Sequence, residues 1–379
     1  MDSNQVTPFS VEGQVDFGKL IERFGASPLD GELLQRFQVV TGQPLHPFLR
    51  RGIVISHRDL DKLLDHHQAG RPIYIYTGRG PSSASIHLGH YIPLSFTKYL
   101  QDVFQAKVVI QLTNDEKFLF KDLDLGEVEQ MTGENIKDIM AIGFDPERTF
   151  IFDNLSYIGQ LYPNVLRIQK CLTINKIQGC FGFNNSDNVG KHAFPAIQMA
   201  PCFPSSFPNF LEPGPPTSHR PEGRDWLCLV PQAIDQDNYF RLVRDLCPSL
   251  GIRKPVCLHT AFLPSLTGEA KMSSSTETKA LFMDASEEVI REAVNRAVSG
   301  GQVNKKLQQE LGADLDKDMI YQYLQIFLED EEEMEEIRCR YGPGPIDGPR
   351  MMTSQVKTRL LDILLPLFKQ FQARRSELN

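Results

Sequence analysis

The strongest constraint on how this chain folds is the alternation of strand and helix through its middle. Ile73-Tyr74-Ile75-Tyr76-Thr77 is a run of β-branched and aromatic residues that reads as a strand, and Gly78-Arg79-Gly80-Pro81 after it reads as a turn. A helix is expected from about His90 to Phe104, with Ile92, Phe96 and Leu100 along one face. Val108 to Leu112 and Phe150 to Phe152 are further strands separated by helical stretches, and the apolar runs Leu227 to Val230 and Val256 to Leu258 complete the set. Strands that alternate with helices predict an α/β fold with a parallel sheet covered on both faces, the Rossmann-type arrangement.

At 379 residues the chain is too long for one core of ordinary size, so a large sheet domain with a companion is expected. Residues 1–71 are polar and helix-prone and read as an N-terminal appendage, and residues 72–285 as the catalytic domain. Residues 286–379 turn helical: Ile320, Leu324, Phe327 and Leu328 share one spacing, and Val356, Leu360, Ile363, Leu364, Leu367 and Phe371 another. The acidic run Glu329 to Glu336, broken only by Met334, reads as a solvated helix face. Six prolines between Pro204 and Gly223 predict an exposed loop there.

Composition narrows the function classes. Seven scattered cysteines form no C-x-x-C pair, and the histidines do not join them at zinc-ligand spacing, so reduced thiols and no structural metal are expected. No apolar run is long enough to span a bilayer, and the first twenty residues carry Asp2, Glu12 and Asp16 without arginine, so the cytoplasm is the expected location. A net charge of -8 gives no global attraction to a polyanion, so any RNA contact must be a local basic patch. The pairs Arg50-Arg51, Arg241 with Arg244, Arg253-Lys254 and Arg374-Arg375 are candidates, and exposed solubilising charges explain them equally well.

Two short motifs carry chemistry. His87-Leu88-Gly89-His90 follows a strand and a glycine turn, where the next helix presents unpaired N–H groups to an anion. Histidines three residues apart in such a turn can face one side and donate to a triphosphate, while Gly89 lets the backbone approach a nucleoside. Lys271-Met272-Ser273-Ser274-Ser275 lies far downstream in a loop of small residues, where a lysine beside hydroxyls suits a leaving pyrophosphate. Each motif alone fits a bland turn, but an H-x-G-H that opens a Rossmann-like sheet together with a K-M-S loop near its end points to nucleotide chemistry.

On these residues the sequence resembles the class I aminoacyl-tRNA synthetases, whose HIGH and KMSKS motifs match His87 to His90 and Lys271 to Ser275. Tyr74 to Ser83, Asn114-Asp115-Glu116-Lys117, Phe194 to Gln198 and Ala233-Ile234-Asp235-Gln236-Asp237 look like the tryptophanyl branch of the eukaryotic cytoplasm, from about Val15 onward. That resemblance implies a helical anticodon-binding domain, a homodimer, Mg2+ with ATP, and L-tryptophan and its tRNA as substrates. No DNA or membrane partner is expected.

Position by position, the resemblance assigns Tyr76 and Gln111 to the indole N–H, Glu116 and Gln198 to the substrate ammonium, and Gln236 and Phe240 to the rest of the pocket. The chemistry agrees, because an indole N–H is donor-only and an ammonium calls for a carboxylate. Gly78, Arg79, Gly80, His87, Gly89, His90, Asp235, Lys271, Met272 and Ser273 are assigned to ATP, with Lys271, His87, His90 and Arg79 as the catalytic set. Ser274 replaces the second lysine of KMSKS, so Lys271 or Arg79 carries more of the charge. Ala84, Asn114 and Asn238 stand where the family often has glutamate, aspartate and proline. The alternatives are the tyrosyl sister enzyme, in which a carboxylate usually reads the substrate hydroxyl, and a catalytically silent relative.

Overall fold

The computed structural model of the chain describes residues 17–211, 225–268 and 280–378. Among them are seven strands: β1 (Ser27–Pro28), β2 (Val54–Arg58), β3 (Ile73–Arg79), β4 (Lys107–Leu112), β5 (Thr149–Asp153), β6 (Leu227–Ala233) and β7 (Val256–Thr260). They form one sheet in the order β1-β2-β7-β6-β3-β4-β5. The five strands from β7 to β5 are parallel, whereas β1 and β2 run antiparallel along the edge beside β7.

Alternate residues of each parallel strand enter two separate cores. Ile73, Ile75, Val108, Ile110, Leu227 and Leu229 face one, and Tyr74, Tyr76, Val109, Cys228, Val230 and Cys257 face the other. Both faces being covered explains why these strands read as unbroken apolar runs. The helix Leu88–Phe104 buries Ile92, Phe96 and Leu100 in the first core. The helices Asn154–Cys171, Val189–Met199 and Asp237–Leu250 supply Val165, Phe194 and Val243 to the second.

Strand order reverses between β3 and β6, because the chain leaves β3 for β4 on one side and returns to β6 on the other. Ligands of doubly wound sheets sit at the carboxyl ends of the strands at such a reversal. Here the two strands also part company. Their pairing runs from Ile73↔Leu227 to Ile75↔Leu229, although β3 continues to Arg79 and β6 to Ala233. Pro231 has no N–H to give, and since pairing of β6 with β7 runs unbroken to Ala233↔Thr260, the missing donor falls on the β3 side.

The segment before residue 72, expected as an appendage, contributes β1 and β2 to this sheet. Arg58 of β2 donates to both carboxylate oxygens of Asp237, at 3.0 and 2.7 Å, and to the carbonyls of Gly25 and Phe24. After residue 286 all regular structure is helical: Glu287–Arg296, Lys305–Leu311, Met319–Phe327, Glu331–Tyr341 and Thr353–Ser376.

One local expectation is corrected. Pro204–Ser206 is a short 3-10 turn with Pro204, Ser206, Phe207 and Leu211 buried, because apolar side chains between the prolines fill the second core; residues 212–223 of that segment lie outside the described residues. The acidic run is a solvated face as expected, with Met334 turned inward, and some of its carboxylates also form ion pairs: Glu331 with Arg50 and Arg51 at 2.8 and 2.7 Å, and Glu333 with Arg359 at 2.8 Å. All seven cysteines are free, and Cys202, Cys228, Cys247 and Cys257 are buried. No described helix is long and apolar enough to cross a membrane.

Candidate active site

The carboxyl end of β3 joins two groups of polar residues. On one side Tyr76, fully buried, donates its hydroxyl to Gln111 Oε1 at 2.5 Å or to the carbonyl of Gln198 at 2.8 Å, and accepts from Gln198 Nε2 at 2.9 Å. Gln111 stands beside Gly78 in the β3–β4 register, and Gln198 ends the helix Val189–Met199. Phe240, one turn into the helix Asp237–Leu250, places its ring 5.9 Å from that of Tyr76. Gln236 immediately precedes this helix and donates to Asp235 at 3.2 Å.

On the other side, a Cβ at Gly80 would come within 2.1 Å of Lys117 Cε and 2.8 Å of Glu116 Oε2, so any larger residue there would push these two side-chain ends aside. Glu116 pairs with Lys117 at 2.9 Å and accepts from Thr113 at 2.9 Å. Arg79 is buried, with one guanidinium nitrogen on the Gly80 carbonyl and two others without a hydrogen-bond partner among the described residues. Burial lowers its pKa to about 10 against the opposing pull of Glu116 and Asp138.

His87 is the residue before the helix Leu88–Phe104, in extended backbone, and its side chain does not cap that helix. The first turn carries no acidic residue, so no carboxylate claims the N–H groups there. The rings of His87 and His90 lie 3.6 Å apart, side by side, and Gly89 sits between them in the turn. Neither ring nitrogen of His87 has a hydrogen-bond partner among the described residues. Burial first, and then the charge of Arg79, depress its pKa to about 3, so the ring is neutral.

Lys271, Met272 and Ser273 lie outside the described residues. The segment from residue 280, which follows them, does not. Leu88 N–H donates to the carbonyl of Leu281 at 2.8 Å, and Met283 N–H to that of Ile86 at 2.9 Å, so the far flank of the K-M-S loop pairs with the H-x-G-H turn. The helix Leu125–Ala141 and the C-terminal helix hold this junction from outside. Asp138 accepts from Ile86 N–H at 2.9 Å and from Arg375 at 2.7 Å, while Gln372 donates to the carbonyls of Met283 and Ala285.

Several residues that border the site escape sequence reasoning. Asn154 accepts from Gln111 Nε2 at 2.7 Å and donates to Asp115 at 2.6 Å, behind the pocket. Gln232 shares the sheet face of Val230, and both polar atoms of its buried amide lack a hydrogen-bond partner among the described residues. Lys117 adds a cation next to Gly80. No sequence signal marks a lone amide at the end of a strand, although Lys117 falls inside a quoted motif. Three basic pairs proposed as RNA contacts are engaged within the chain: Arg50 and Arg51 with Glu331, Arg244 with Asp59, and Arg375 with Asp138.

Asp237, Cys257 and His259 bring ligand-type atoms within 4.8 Å of one another. The acceptor atoms of Asp237 and His259 are already engaged. His259 bonds Asp237 at 2.9 Å through Nε2 and Ser56 at 2.9 Å through Nδ1, and Arg58 takes both oxygens of Asp237. Burial pushes the Asp237 carboxyl up, but the hydrogen bonds from His259 and Arg58 outweigh it and hold the group well below the usual carboxylate range. The cluster is an ion-pair network that ties β2 to the helix carrying Phe240.

The profile of the class I tRNA synthetases (W and Y) matches residues 224–348. The cytoplasmic tryptophan–tRNA ligase of Dictyostelium discoideum is 45% identical over 380 residues, which cover 99% of this chain and 92% of that protein. Its counterpart from Homo sapiens is 45% identical over 383 residues, 99% of this chain and 78% of that one. The crystal structure of Plasmodium falciparum tryptophanyl-tRNA synthetase superposes with a TM-score of 0.87 at 43% identity, covering 96% of this chain and 95% of that one.

Proposed function

This chain belongs to the tryptophan–tRNA ligases among the class I aminoacyl-tRNA synthetases, and from that premise we propose how its own residues carry the reaction. L-tryptophan is activated with ATP: a carboxylate oxygen attacks the α-phosphorus, the bond to pyrophosphate breaks, and tryptophanyl-adenylate forms. The terminal ribose hydroxyl of the tRNA then attacks the acyl carbon and AMP leaves. No side-chain nucleophile takes part, so positioning and charge stabilisation supply the acceleration.

The observation that carries this reading is the stretch Tyr76 to Gly80, which touches Gln111 and Gln198 at one end and Glu116 and Lys117 at the other. Tyr76 and Gln111 receive the indole N–H, Phe240 packs its ring, and Gln232 and Gln236 complete the pocket. Glu116 and Gln198 take the ammonium. Gly78, Gly80, Gly89 and Asp235 face the nucleoside. Arg79, His87 and His90 grip the phosphates, and Lys271, with Met272 and Ser273, closes on the departing pyrophosphate.

Magnesium calls for oxygen ligands, whereas the phosphate-facing groups here are imidazole and guanidinium. Among the described residues near the site no cage of carboxylates is offered to Mg2+, so the ion would arrive with the ATP phosphates and their water. The helical region from residue 286 reads the anticodon. Leu155, Tyr162 and Leu166 on one helix, with Ile174 just beyond, are 39%, 52%, 48% and 58% exposed, an apolar stripe suited to a second copy in a homodimer. The place of action is the cytoplasm, as in the relatives' names.

ATP–pyrophosphate exchange with tryptophan, tyrosine and phenylalanine offered separately tests the assignment. Exchange is expected with tryptophan alone. Exchange with tyrosine instead would transfer the chain to the sister enzyme, and none with any amino acid would leave a silent relative.

A further inference from the structure

An amide that must accept a proton can be undone by rotating half a turn, which exchanges its oxygen for its nitrogen. Gln111 faces this problem: as the proposed acceptor for the indole N–H it must present Oε1 to the pocket, and its two ends differ only in hydrogen-bonding sense. The structure supplies a direction. Asp115 lies behind the pocket wall, and its carboxylate accepts from Asn154 Nδ2 at 2.6 Å and from the Glu116 N–H at 2.8 Å. With its nitrogen committed to a carboxylate, Asn154 turns its oxygen to Gln111 and accepts from Nε2 at 2.7 Å. Gln111 therefore turns its own oxygen forward, where it accepts from Tyr76 at 2.5 Å and keeps a second lone pair.

The chain crosses the ends of three neighbouring strands. Tyr76 is on β3, Gln111 on β4, and Asn154 is the first residue after β5. Tyr76, Gln111 and Asn154 are each no more than 1% exposed, so in the intact protein each depends on its neighbours rather than on bulk water. Leu155 N–H and Asp115 N–H both donate to Asn114 Oδ1, and Asn114 donates to Asp153 at 2.8 Å, which pins the turn that carries Asn154 to the turn that carries Asp115. A purely structural network needs partners. This one also has a polarity, set at its far end by a carboxyl that only accepts while it is ionised; burial raises its pKa to about 6, so the relay is read at pH 8.

We infer that Asp115 and Asn154 are positioning residues that fix the orientation of Gln111 and so make the pocket demand a hydrogen-bond donor on the ring of its amino acid. The inference rests on the reading of Gln111 as the indole acceptor. If the relay is broken, the nitrogen end of Gln111 keeps only a long bond of 3.4 Å to the carbonyl of Ile197, and the amide turns over more readily. The pocket then loses its preference for tryptophan over ring isosteres that lack the N–H.

The test compares tryptophan with 3-benzothienylalanine, in which sulfur replaces the indole nitrogen, in ATP–pyrophosphate exchange by the full chain. The readout is the ratio of kcat/KM for the two, in the parent protein and in Asn154→Leu, Asp115→Ala and Gln111→Ala. A tenfold or larger fall in that ratio is expected in all three variants, carried by KM for tryptophan, with KM for ATP within about threefold. Both bonds to Asp115 fall on Oδ1, so the acceptor has to be removed altogether rather than replaced by an amide. Asn154→Leu keeps the shape of the side chain and keeps the readout available should Asp115→Ala fold poorly. If Gln111→Ala lowers the ratio while Asn154→Leu and Asp115→Ala stay within twofold of the parent, the relay is overturned and the indole assignment stands. If Gln111→Ala leaves the ratio unchanged, the indole assignment falls first and takes the relay with it. Equal losses for tryptophan, its isostere and ATP that track a drop in Tm would mean a merely structural network, and would also overturn the proposal.

Discussion

His87 makes the ligand-free protein sensitive to mild acid, by an amount that can be worked out. In the unfolded chain its imidazole takes up a proton near the usual value of about 6.5. In the folded protein burial and the neighbouring Arg79 charge hold it at about 3. Between those values the unfolded state binds the proton and the folded state does not, so stability present above pH 6.5 is lost as the pH falls toward 3. At pH 5 the unfolded state has gained about 2 kcal/mol from this one proton relative to pH 7, by the linkage relation. Replacing His87 with asparagine removes the titration, while His46, also depressed by burial, to about 4, titrates in both proteins and cancels in the comparison. Urea unfolding of parent and His87→Asn at pH 7 and pH 5 gives the double difference. The parent is expected to lose about 2 kcal/mol more than the variant over that interval. A double difference below about 0.5 kcal/mol would refute the claim that the ring is held neutral.

Two other substitutions test the surroundings of the site. Gln232→Val removes a buried amide that has no hydrogen-bond partner among the described residues, so the free protein should gain about 1 kcal/mol in unfolding free energy while affinity for tryptophan, measured at equilibrium, falls; a destabilised variant would show that the amide is satisfied after all. Asp237→Asn leaves Arg58 and His259 without their common anion and is expected to cost roughly 3–5 kcal/mol in stability, read from thermal melts; a loss under about 1 kcal/mol would mean that β2 is held mainly by other contacts.

The parallel strands and the turn between β3 and the first long helix were legible because each is a local pattern: an apolar run, a glycine, then a change of period from two to near four. The meeting of His87 with His90 was legible for the same reason, since a spacing of three sets it. β1 and β2 were not. Val54-Ile55-Ser56-His57-Arg58 is half polar, and its polar members are explained only by partners some 180–200 residues away, His259 for Ser56 and Asp237 for Arg58. Resemblance drew attention to Gln111 but could not show what orients it, because Asn154 and Asp115 are 43 and 4 residues away along the chain and become neighbours only through the sheet. The prolines between 204 and 211 misled because ring count outweighed the phenylalanines among them, and in the fold Phe207 is fully buried.

Pro231 takes one rung out of the ladder in the middle of the sheet. A ring nitrogen has no hydrogen with which to tie the tips of the two neighbouring strands together, so the gap in pairing beyond Ile75 and Leu229 is written into the covalent chain and belongs to the ligand-free protein.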